Sequence, residues 1–420
     1  MAGRFVIAGS KPLKGHICVE GAKNAVLPML AAALLCKGSV CLRNCPRLSD
    51  VDSMLCILQW MGCTYRWEGS SLWIDASRAS LHDLPQDIAR VMRSSIFLLG
   101  PMLGRFGQAV CGYPGGCNIG QRPIDLHLEG LTAMGAVIRE EAERVICLPC
   151  SLQGTRVALS FPSVGATENL MMAAVAAKGL TVITGAAREP EVVALMDMLN
   201  AMGAKVSGAG SDTIRVEGVP LDTLTGCTVE VIGDRIVAGT YLIAGAVTGG
   251  EIEVSGICPE HLGPLCGMLE RSGCRIGLGK RSVALAAPEG LRAIGTVETK
   301  PYPGFATDLQ APWFALCTVA KGESRIAERI FERRFHHAQE LARMGAQIRL
   351  AGNDAYIEGV DHLSGARVWA QDLRGGAALV LAALAARGTS IVENIHFIDR
   401  GYDRLEEALN TLGAQVERQL

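Results

Sequence analysis

A chain of 420 residues is too long for one ordinary hydrophobic core and divides most simply into two domains of roughly 200 residues each. Apolar residues make up 49% and charged residues 20%, and 40 basic side chains nearly balance 42 acidic ones, for a formal net charge of −2. With no basic excess the chain does not read as a generic nucleic-acid or membrane-surface protein, and any anionic ligand must be met by local charges.

The N-terminal stretch "FVIAGSKPLKGHICVEG" predicts a pair of strands with no helix before them. It has no charged head followed by an uninterrupted apolar run, so a secretory signal is not expected. The longest apolar runs, "AVLPMLAAALLC" and "AALVLAALAA", fall short of the roughly 18 residues a membrane span needs, and the expectation is a soluble protein of the cytoplasm. Fifteen cysteines scattered through apolar stretches of a large chain point to reduced thiols.

In "VEGAKNAVLPML", Lys23 and Asn24 lie between a strand and an apolar helix. Pro28 would remove a backbone hydrogen bond from that helix unless its regular part begins near Leu27, which leaves a capping role for Asn24 open. Arg93 precedes "SSIFLLG". The loop "GYPGGCNIGQRP" follows, with Cys117 in its middle and Arg122 before Pro123, a residue suited to the first turn of a helix. The one CxxC, Cys147 to Cys150, lies on a strand-like run with no second pair and reads as core. In "SFPSVGATENLMM", Ser163, Val164 and Gly165 either present backbone N–H groups to a ligand or simply begin a helix. In the second half, Asp308 in "DLQAPW", Arg334 in "FERRF", Asp372 and Arg374 in "AQDLRGG" and Arg400 in "IDRGYDR" form acidic–basic sets flanking apolar helices, a pattern that most often means structural ion pairs.

One phrase recurs along the chain: "LQWMGCTYRW", "LTAMGAVIRE", "LNAMGAKVSG", "LERSGCRIGL", "LARMGAQIRL" and "LNTLGAQVER". Its glycines are Gly62, Gly135, Gly203, Gly273, Gly345 and Gly413, spaced 73, 68, 70, 72 and 68 residues apart. Six copies near one period signal internal duplication. An Ala/Leu-rich helix closed by glycine keeps the same step, as in "LMMAAVAAKGL" and "LVLAALAARGTS", with a looser match in "IFLLGPMLGRFG". Each repeat therefore reads as βαβαββ, with one helix apolar on all sides and buried and a second, amphipathic helix covering a sheet. The expected fold class is α/β (α+β), two domains of three repeats. Because the sixth repeat lacks its closing strands, the two chain ends are expected to pair, giving one domain from residues 1–21 plus 233–420 and another from 22–232.

Lys23, Arg93 and Arg122 beside helix starts suit an anion site, since free N–H groups and the helix dipole favour negative charge there. Each taken singly is also an ordinary solvated base near a cap. For Cys117, neighbouring positive charge would stabilise a thiolate, and the glycines would leave it exposed; the alternative is one more incidental cysteine among fifteen. His127 and the pair His336 and His337 invite a metal reading, but no carboxylate sits at ligand spacing, and the glycine patterns of dinucleotide and ATP sites are missing. No metal and no cofactor are expected.

The segments "GAKNAVLP", "PGGCNIGQRPIDLHLEGLTAMGA", "FPSVGATEN", "AAREPEVV", "PYPGFATDLQA" and "HFIDRGYDR" resemble the UDP-N-acetylglucosamine 1-carboxyvinyltransferases, enolpyruvyl transferases that start peptidoglycan synthesis, over essentially the full length. The resemblance implies two similar domains with the active site between them, and transfer of enolpyruvate from phosphoenolpyruvate to the 3′-hydroxyl of the sugar. It implies that Cys117 is a proton donor that can also become linked to phosphoenolpyruvate, and that Asp308 takes the hydroxyl proton. Lys23, Asn24, Arg122 and Arg400 would lie around phosphoenolpyruvate. Asn24, Arg93, Arg122, Pro123, Ile124, Asp125, Leu126, Ser163, Val164, Gly165, Asp308 and Ile330 would contact UDP-N-acetylglucosamine, and Arg334, Asp372 and Arg374 would support them. The implied partners are these two small molecules only, with no nucleic acid and no membrane, and the protein is expected to be a monomer. The epoxide fosfomycin would alkylate Cys117. Phe97 stands where the family often has Trp, Ala306 where it has Pro, and "QAPW" differs from its usual motif; these bear on the shape of the cleft.

The chemistry needs these residue types. Phosphoenolpyruvate is an unreactive enol phosphate until its methylene carbon is protonated, so an acid and a base are required, each typically worth roughly 10² to 10⁴ in rate. Several cations must hold its negative charge and stabilise the departing phosphate. Two other readings remain: the shikimate-pathway enolpyruvyl transferase, whose sequences lack the PGGC loop, and a catalytically silent nucleotide-sugar binder.

Overall fold

The computed structural model describes residues 3–115, 120 and 123–420. Among them lie six four-stranded sheets, all built on one plan. In the fifth repeat, strand Gly295–Glu298 runs parallel to Glu323–Ala327, and the helix Gln310–Cys317 makes the crossover. The chain then passes through a second helix, His337–Arg343, into the hairpin Gln347–Ala351 and Asp354–Glu358. The later hairpin strand lies antiparallel to Glu323–Ala327 and so takes the inner place. This is the βαβαββ unit read from the sequence, and all six sheets share its strand order.

The chain ends complete the count. Strand Arg4–Ala8 sits between Thr389–Glu393 and Gln415–Gln419, antiparallel to both, and supplies the strand that the sixth repeat lacks. Lys14–Cys18 pairs in parallel with Glu251–Ser255, while Thr228–Glu230 pairs in parallel with Ser39–Arg43, so the first and fourth repeats each take one strand from a distant part of the chain. Residues 3–20 with 233–420 form one unit, and residues 21–115 with 123–232 form the other. Each has its own continuous apolar core.

Six inner helices make those cores: Lys23–Ala32, Leu99–Phe106 and Val164–Val175 in one unit, and Arg235–Val247, Gln310–Cys317 and Leu373–Ala385 in the other. Every residue of Gln310–Cys317 and every residue from Leu373 to Leu384 is buried. Full burial of a Leu or Val side chain contributes about 1.5–3 kcal/mol, and a helix without a polar face gains it only when enclosed. Small residues allow close approach: a Cβ at Gly100 would come within 2.3 Å of the Asn169 carbonyl on the neighbouring helix. The six repeat glycines all adopt positive φ, from 90° to 105°, at the point where the amphipathic helix turns into its hairpin. A side chain is strained there, which is why the phrase keeps its glycine through every copy.

Several local expectations are corrected. The first inner helix begins at Lys23 with Ala22 as its extended cap, so Pro28 lies inside it and Asn24 lies in the first turn, not at the cap. Residue 28 cannot donate to the Asn24 carbonyl, yet the helix continues because all residues from Ala25 to Ala32 are buried. Pro123 precedes the helix Asp125–Ala133 instead of opening it; Ile124 is the cap. The looser second repeat starts as a 3-10 turn, Arg93–Leu98, and becomes α-helical only at Leu99.

Repeat equivalence also governs backbone contacts. Gly218 and Gly359 occupy matching places after the inner hairpin strand, and a Cβ there would lie 1.6 Å from the Ala177 carbonyl oxygen and 1.8 Å from that of Ala320. Both obstacles are backbone and cannot rotate away. Gly218→Ala and Gly359→Ala should each destabilise the protein by roughly 1–3 kcal/mol, read as a lower denaturant midpoint. Gly352→Ala, where a Cβ meets nothing within 4 Å but φ is +60°, should cost less.

Candidate functional site

The residues singled out in the sequence fall at the N-terminal ends of the inner helices, and each unit presents its own cluster. In residues 21–232, Lys23 is the first residue of its helix and is buried, although that end of a helix disfavours a cation. Its Nζ lies 2.6 Å from the carboxylate of Asp50, itself buried in the first turn of the helix Ser49–Trp60. The partner makes a buried ammonium tolerable, and removing it would strand a charge. Nothing in the sequence marks Asp50 apart from an ordinary acidic first turn.

Arg93 donates from Nη2 to the carbonyl oxygen of Pro123 at 3.3 Å, joining two stretches predicted to contact the nucleotide sugar. Within the run that follows, Pro123 and Asp125 are exposed, Leu126 is half-buried and Ile124 is buried, so the Ile124 side chain belongs to the core. Ser163 caps the helix Val164–Val175, its Oγ accepting from the Ala166 N–H at 3.3 Å. The "SVG" stretch therefore does begin a helix, with Val164 and Gly165 in its half-buried first turn. Asn24 is half-buried beside Lys23. Cys117 and Arg122 lie outside the described residues.

In the other unit, Asp308 stands in the 3-10 turn Thr307–Leu309 that leads into the helix Gln310–Cys317. One carboxylate oxygen accepts from Arg334 Nη2 at 2.7 Å, and the second accepts from Arg374 Nη2 at 3.0 Å. Burial alone would raise the Asp308 carboxyl, but the charges of Arg374 and Arg334 and their hydrogen bonds outweigh it and hold the group well below the usual carboxylate range. Both guanidiniums are buried, while a quarter of the Asp308 side chain remains exposed. The arginines are themselves positioned: Arg334 Nη1 donates to Thr307 Oγ1 at 3.0 Å, and Arg374 stacks over the Tyr402 ring at 5.3 Å. Asp372 is a helix cap, accepting from the N–H groups of Arg374 and Gly375 at 3.0 and 2.8 Å. Glu328 is fully buried and accepts from Thr299, Thr307 and the Ile330 N–H, each at 2.8 Å, which fixes Ile330 relative to the Asp308 turn. Arg400 ends the 3-10 turn Ile395–Arg400 and is half-buried. Glu328, Tyr402 and Asp50 escaped the sequence reading because their roles depend on partners 20 or more residues away.

Asp308 is thus an ionised carboxylate held between the fixed cations of Arg334 and Arg374. His337 packs edge-on against Phe314 at 4.8 Å, and His336 precedes its helix. No group of three or more His, Cys, Asp or Glu residues suited to a metal occurs among the described residues.

Six βαβαββ sheets among the described residues, around largely apolar buried helices with ionic groups near the helix starts, define a transferase of the enolpyruvyl transferase fold. The enolpyruvyl transferase NikO from Streptomyces tendae superposes with a TM-score of 0.90 at 25% identity, covering 100% of this chain and 99% of that one. EPSP synthase from Acinetobacter baumannii shares the fold at a TM-score of 0.75 and 18% identity, with both chains fully covered. The family model for EPSP synthase (3-phosphoshikimate 1-carboxyvinyltransferase) matches residues 7–409. UDP-N-acetylglucosamine 1-carboxyvinyltransferase 2 of Caldanaerobacter subterraneus is 46% identical over 99% of both chains, and UDP-N-acetylglucosamine 1-carboxyvinyltransferase 1 of Symbiobacterium thermophilum is 48% identical over 99% of this chain and 95% of its own. The chain belongs to the UDP-N-acetylglucosamine 1-carboxyvinyltransferase family.

Because the Asp308 carboxyl is depressed in the folded protein, its contribution to stability is complete above the ordinary carboxylate pKa of about 4 and is lost as pH falls from there toward the folded value. Asp308→Asn should lower stability at pH 7 by roughly 1–3 kcal/mol, since two buried guanidiniums lose their counter-charge. Denaturant midpoints measured against pH should show that penalty shrinking below about pH 4; a penalty independent of pH would contradict the assignment.

Proposed function

We infer that the protein transfers the enolpyruvyl group of phosphoenolpyruvate to the 3′-hydroxyl of UDP-N-acetylglucosamine and releases phosphate, the step that commits the sugar to peptidoglycan synthesis. The observation that carries this reading is 46% identity, along the whole chain, to enzymes bearing the name of that reaction. The shikimate alternative rests on a family model whose name is that of the shikimate enzyme and on a solved structure only 18% identical.

In this reading Cys117 supplies the proton that converts the methylene of phosphoenolpyruvate to a methyl group, and the sugar hydroxyl attacks the cationic carbon left behind. Asp308 accepts the hydroxyl proton. Its low basicity suits that step, because the oxygen becomes strongly acidic only as its bond to carbon forms, and a carboxylate pinned by two guanidiniums needs no reorganisation to meet it. Loss of the methyl proton and of phosphate then restores the enol double bond on the sugar. Lys23, Arg122 and Arg400 hold the carboxylate and phosphate, with Asn24 beside them, and Arg334 and Arg374 position Asp308. No metal or cofactor enters. Among the described residues no helix is long and apolar enough to cross a membrane; in this reading the enzyme works in the cytoplasm as a monomer.

A phosphate-release assay decides between the acceptors. Release from phosphoenolpyruvate should require UDP-N-acetylglucosamine; release with shikimate 3-phosphate instead would transfer the case to the rival enzyme, and release with neither would leave a silent binder. Asp308→Ala should lose about 10²- to 10⁴-fold in kcat. Fosfomycin should inactivate the enzyme with one adduct on the Cys117 peptide by mass spectrometry, and inactivation without that adduct would refute the role of the thiol.

A further inference from the structure

Four acidic side chains crowd Arg400 along the chain. Between residues 399 and 407, Asp399, Asp403, Glu406 and Glu407 alternate with Arg400 and Arg404. Each of these carboxylates is close enough in sequence to compete for the guanidinium that the functional reading assigns to phosphoenolpyruvate. The fold gives every one of them to an arginine other than Arg400. Arg404 pairs with Asp403 at 3.5 Å and with Glu407 at 3.0 Å. Arg418, from the strand Gln415–Gln419, takes the other two. Its Nη1 and Nη2 donate to the two oxygens of Asp399 at 3.0 and 2.7 Å, and its Nε and Nη2 donate to the two oxygens of Glu406 at 2.5 and 3.0 Å.

The Arg418 fork is itself held. Arg418 lies opposite Phe5 in the strand register, and its guanidinium stacks over that buried ring at 5.0 Å. Its side chain is 23% exposed and that of Glu406 only 10%, so these charge-assisted bonds are partly shielded from water. The repeat supplies an internal comparison. Five places after the repeat glycine stand Trp67, Glu140, Gly208, Leu278 and Leu350 in the first five copies, and Arg418 in the sixth. The βαβαββ plan therefore does not demand an arginine there.

What Arg418 grips is the turn that carries Arg400. Asp399 is the neighbour of Arg400 in the 3-10 turn Ile395–Arg400. The other end of that turn is tied by Asn394, left-handed at φ 62°, whose Nδ2 donates to the Ala370 carbonyl at 3.3 Å. The turn packs on the start of the helix Leu373–Ala385, which also supplies Arg374. A Cβ on Gly376 would lie 2.7 Å from Ile398, and one on Gly401 would lie 2.7 Å from Leu373. Beyond the turn Arg404 adopts φ 40°, a conformation costly for any residue but glycine, which persists only where the surroundings enforce it.

We propose that Arg418 is a positioning residue for phosphoenolpyruvate binding: it anchors the Arg400 turn through Asp399 and, by engaging the Asp399 and Glu406 carboxylates, keeps them from drawing the Arg400 guanidinium away from the anionic ligand. This rests on the reading of Arg400 as a residue that holds phosphoenolpyruvate.

Phosphate-release kinetics on the full-length protein, with each substrate varied in turn, test the role. Arg418→Ala should raise the KM for phosphoenolpyruvate about 10-fold and leave kcat and the KM for UDP-N-acetylglucosamine unchanged. Arg418→Lys, which keeps the charge but not the planar fork, should recover part of the loss. Adding Asp399→Asn to Arg418→Ala should also recover part, because it removes the competing charge, whereas a purely structural staple predicts no recovery. An unaltered KM for phosphoenolpyruvate in Arg418→Ala, equal rises for both substrates, or a double variant no better than Arg418→Ala would overturn the proposal. Asp399→Ala leaves Arg418 paired with Glu406 and decides the matter if the Arg418 variants do not fold. It should raise the KM for phosphoenolpyruvate several-fold with that for the sugar unchanged, and no rise would refute the anchor. An active wild type with an unaltered Arg418→Ala variant sinks only the role of Arg418, while a wild type that releases no phosphate sinks the functional reading itself.

Discussion

A largely apolar helix must be enclosed on nearly every side, and the described residues contain six of them. Enclosure dictates the plan of each unit. A parallel strand pair carries the chain across the helix, an amphipathic helix and a hairpin finish the sheet, and three such repeats surround three helices. The flanks of the inner helices are largely closed to water, and many of the singled-out polar groups lie near their starts. Lys23, Arg93, Ser163, Asp308 and Asp372 with Arg374 all occur at the starts of inner helices or in the turns leading into them. The repeat that builds the core thus also distributes the candidate site.

Helix N-termini favour negative charge, which makes the cations at these positions costly and informative. Lys23 is accommodated by Asp50, and Arg334 with Arg374 by Asp308. Removing either carboxylate strands buried positive charge, whereas an anionic ligand arriving at the same place adds to the compensation. Under the proposed function, such preset charges meet phosphate and carboxylate without reorganising when substrate binds.

Much of this was legible in the sequence, for physical reasons that can be named. A glycine needed for positive φ after every amphipathic helix leaves a mark at a constant interval, and an all-round apolar helix leaves an unmistakable run of Ala and Leu. Boundaries were less legible: Pro28 argues locally against a helix that burial sustains, and Pro123 argues for a helix start that falls two residues later. Least legible were the partnerships. Asp50 is 27 residues from Lys23, Asn169 is 42 from His127 and Arg374 is 66 from Asp308. No local pattern encodes which of many acids and amides will be folded against a given cation or ring. The family resemblance carried Asp308 and Arg374 forward as site residues, but only the fold makes them one group.

The two polar assemblies solve the same problem with opposite chemistry. Asp308 is kept charged by two cations that cannot lose their protons, and His127 is kept uncharged by burial and by an amide whose oxygen is already committed. In each, the titratable side chain is held in one protonation state by neighbours that have no alternative state of their own. A carboxylate that stays ionised and an imidazole that stays neutral keep fixed charges across the physiological range without any proton rearrangement. The partners behind them, Arg334, Arg374, Asn169 and Gly100, then matter because they remove the freedom of the groups in front, and the tolerance of each position to substitution should follow that logic more closely than its distance from the reacting atoms.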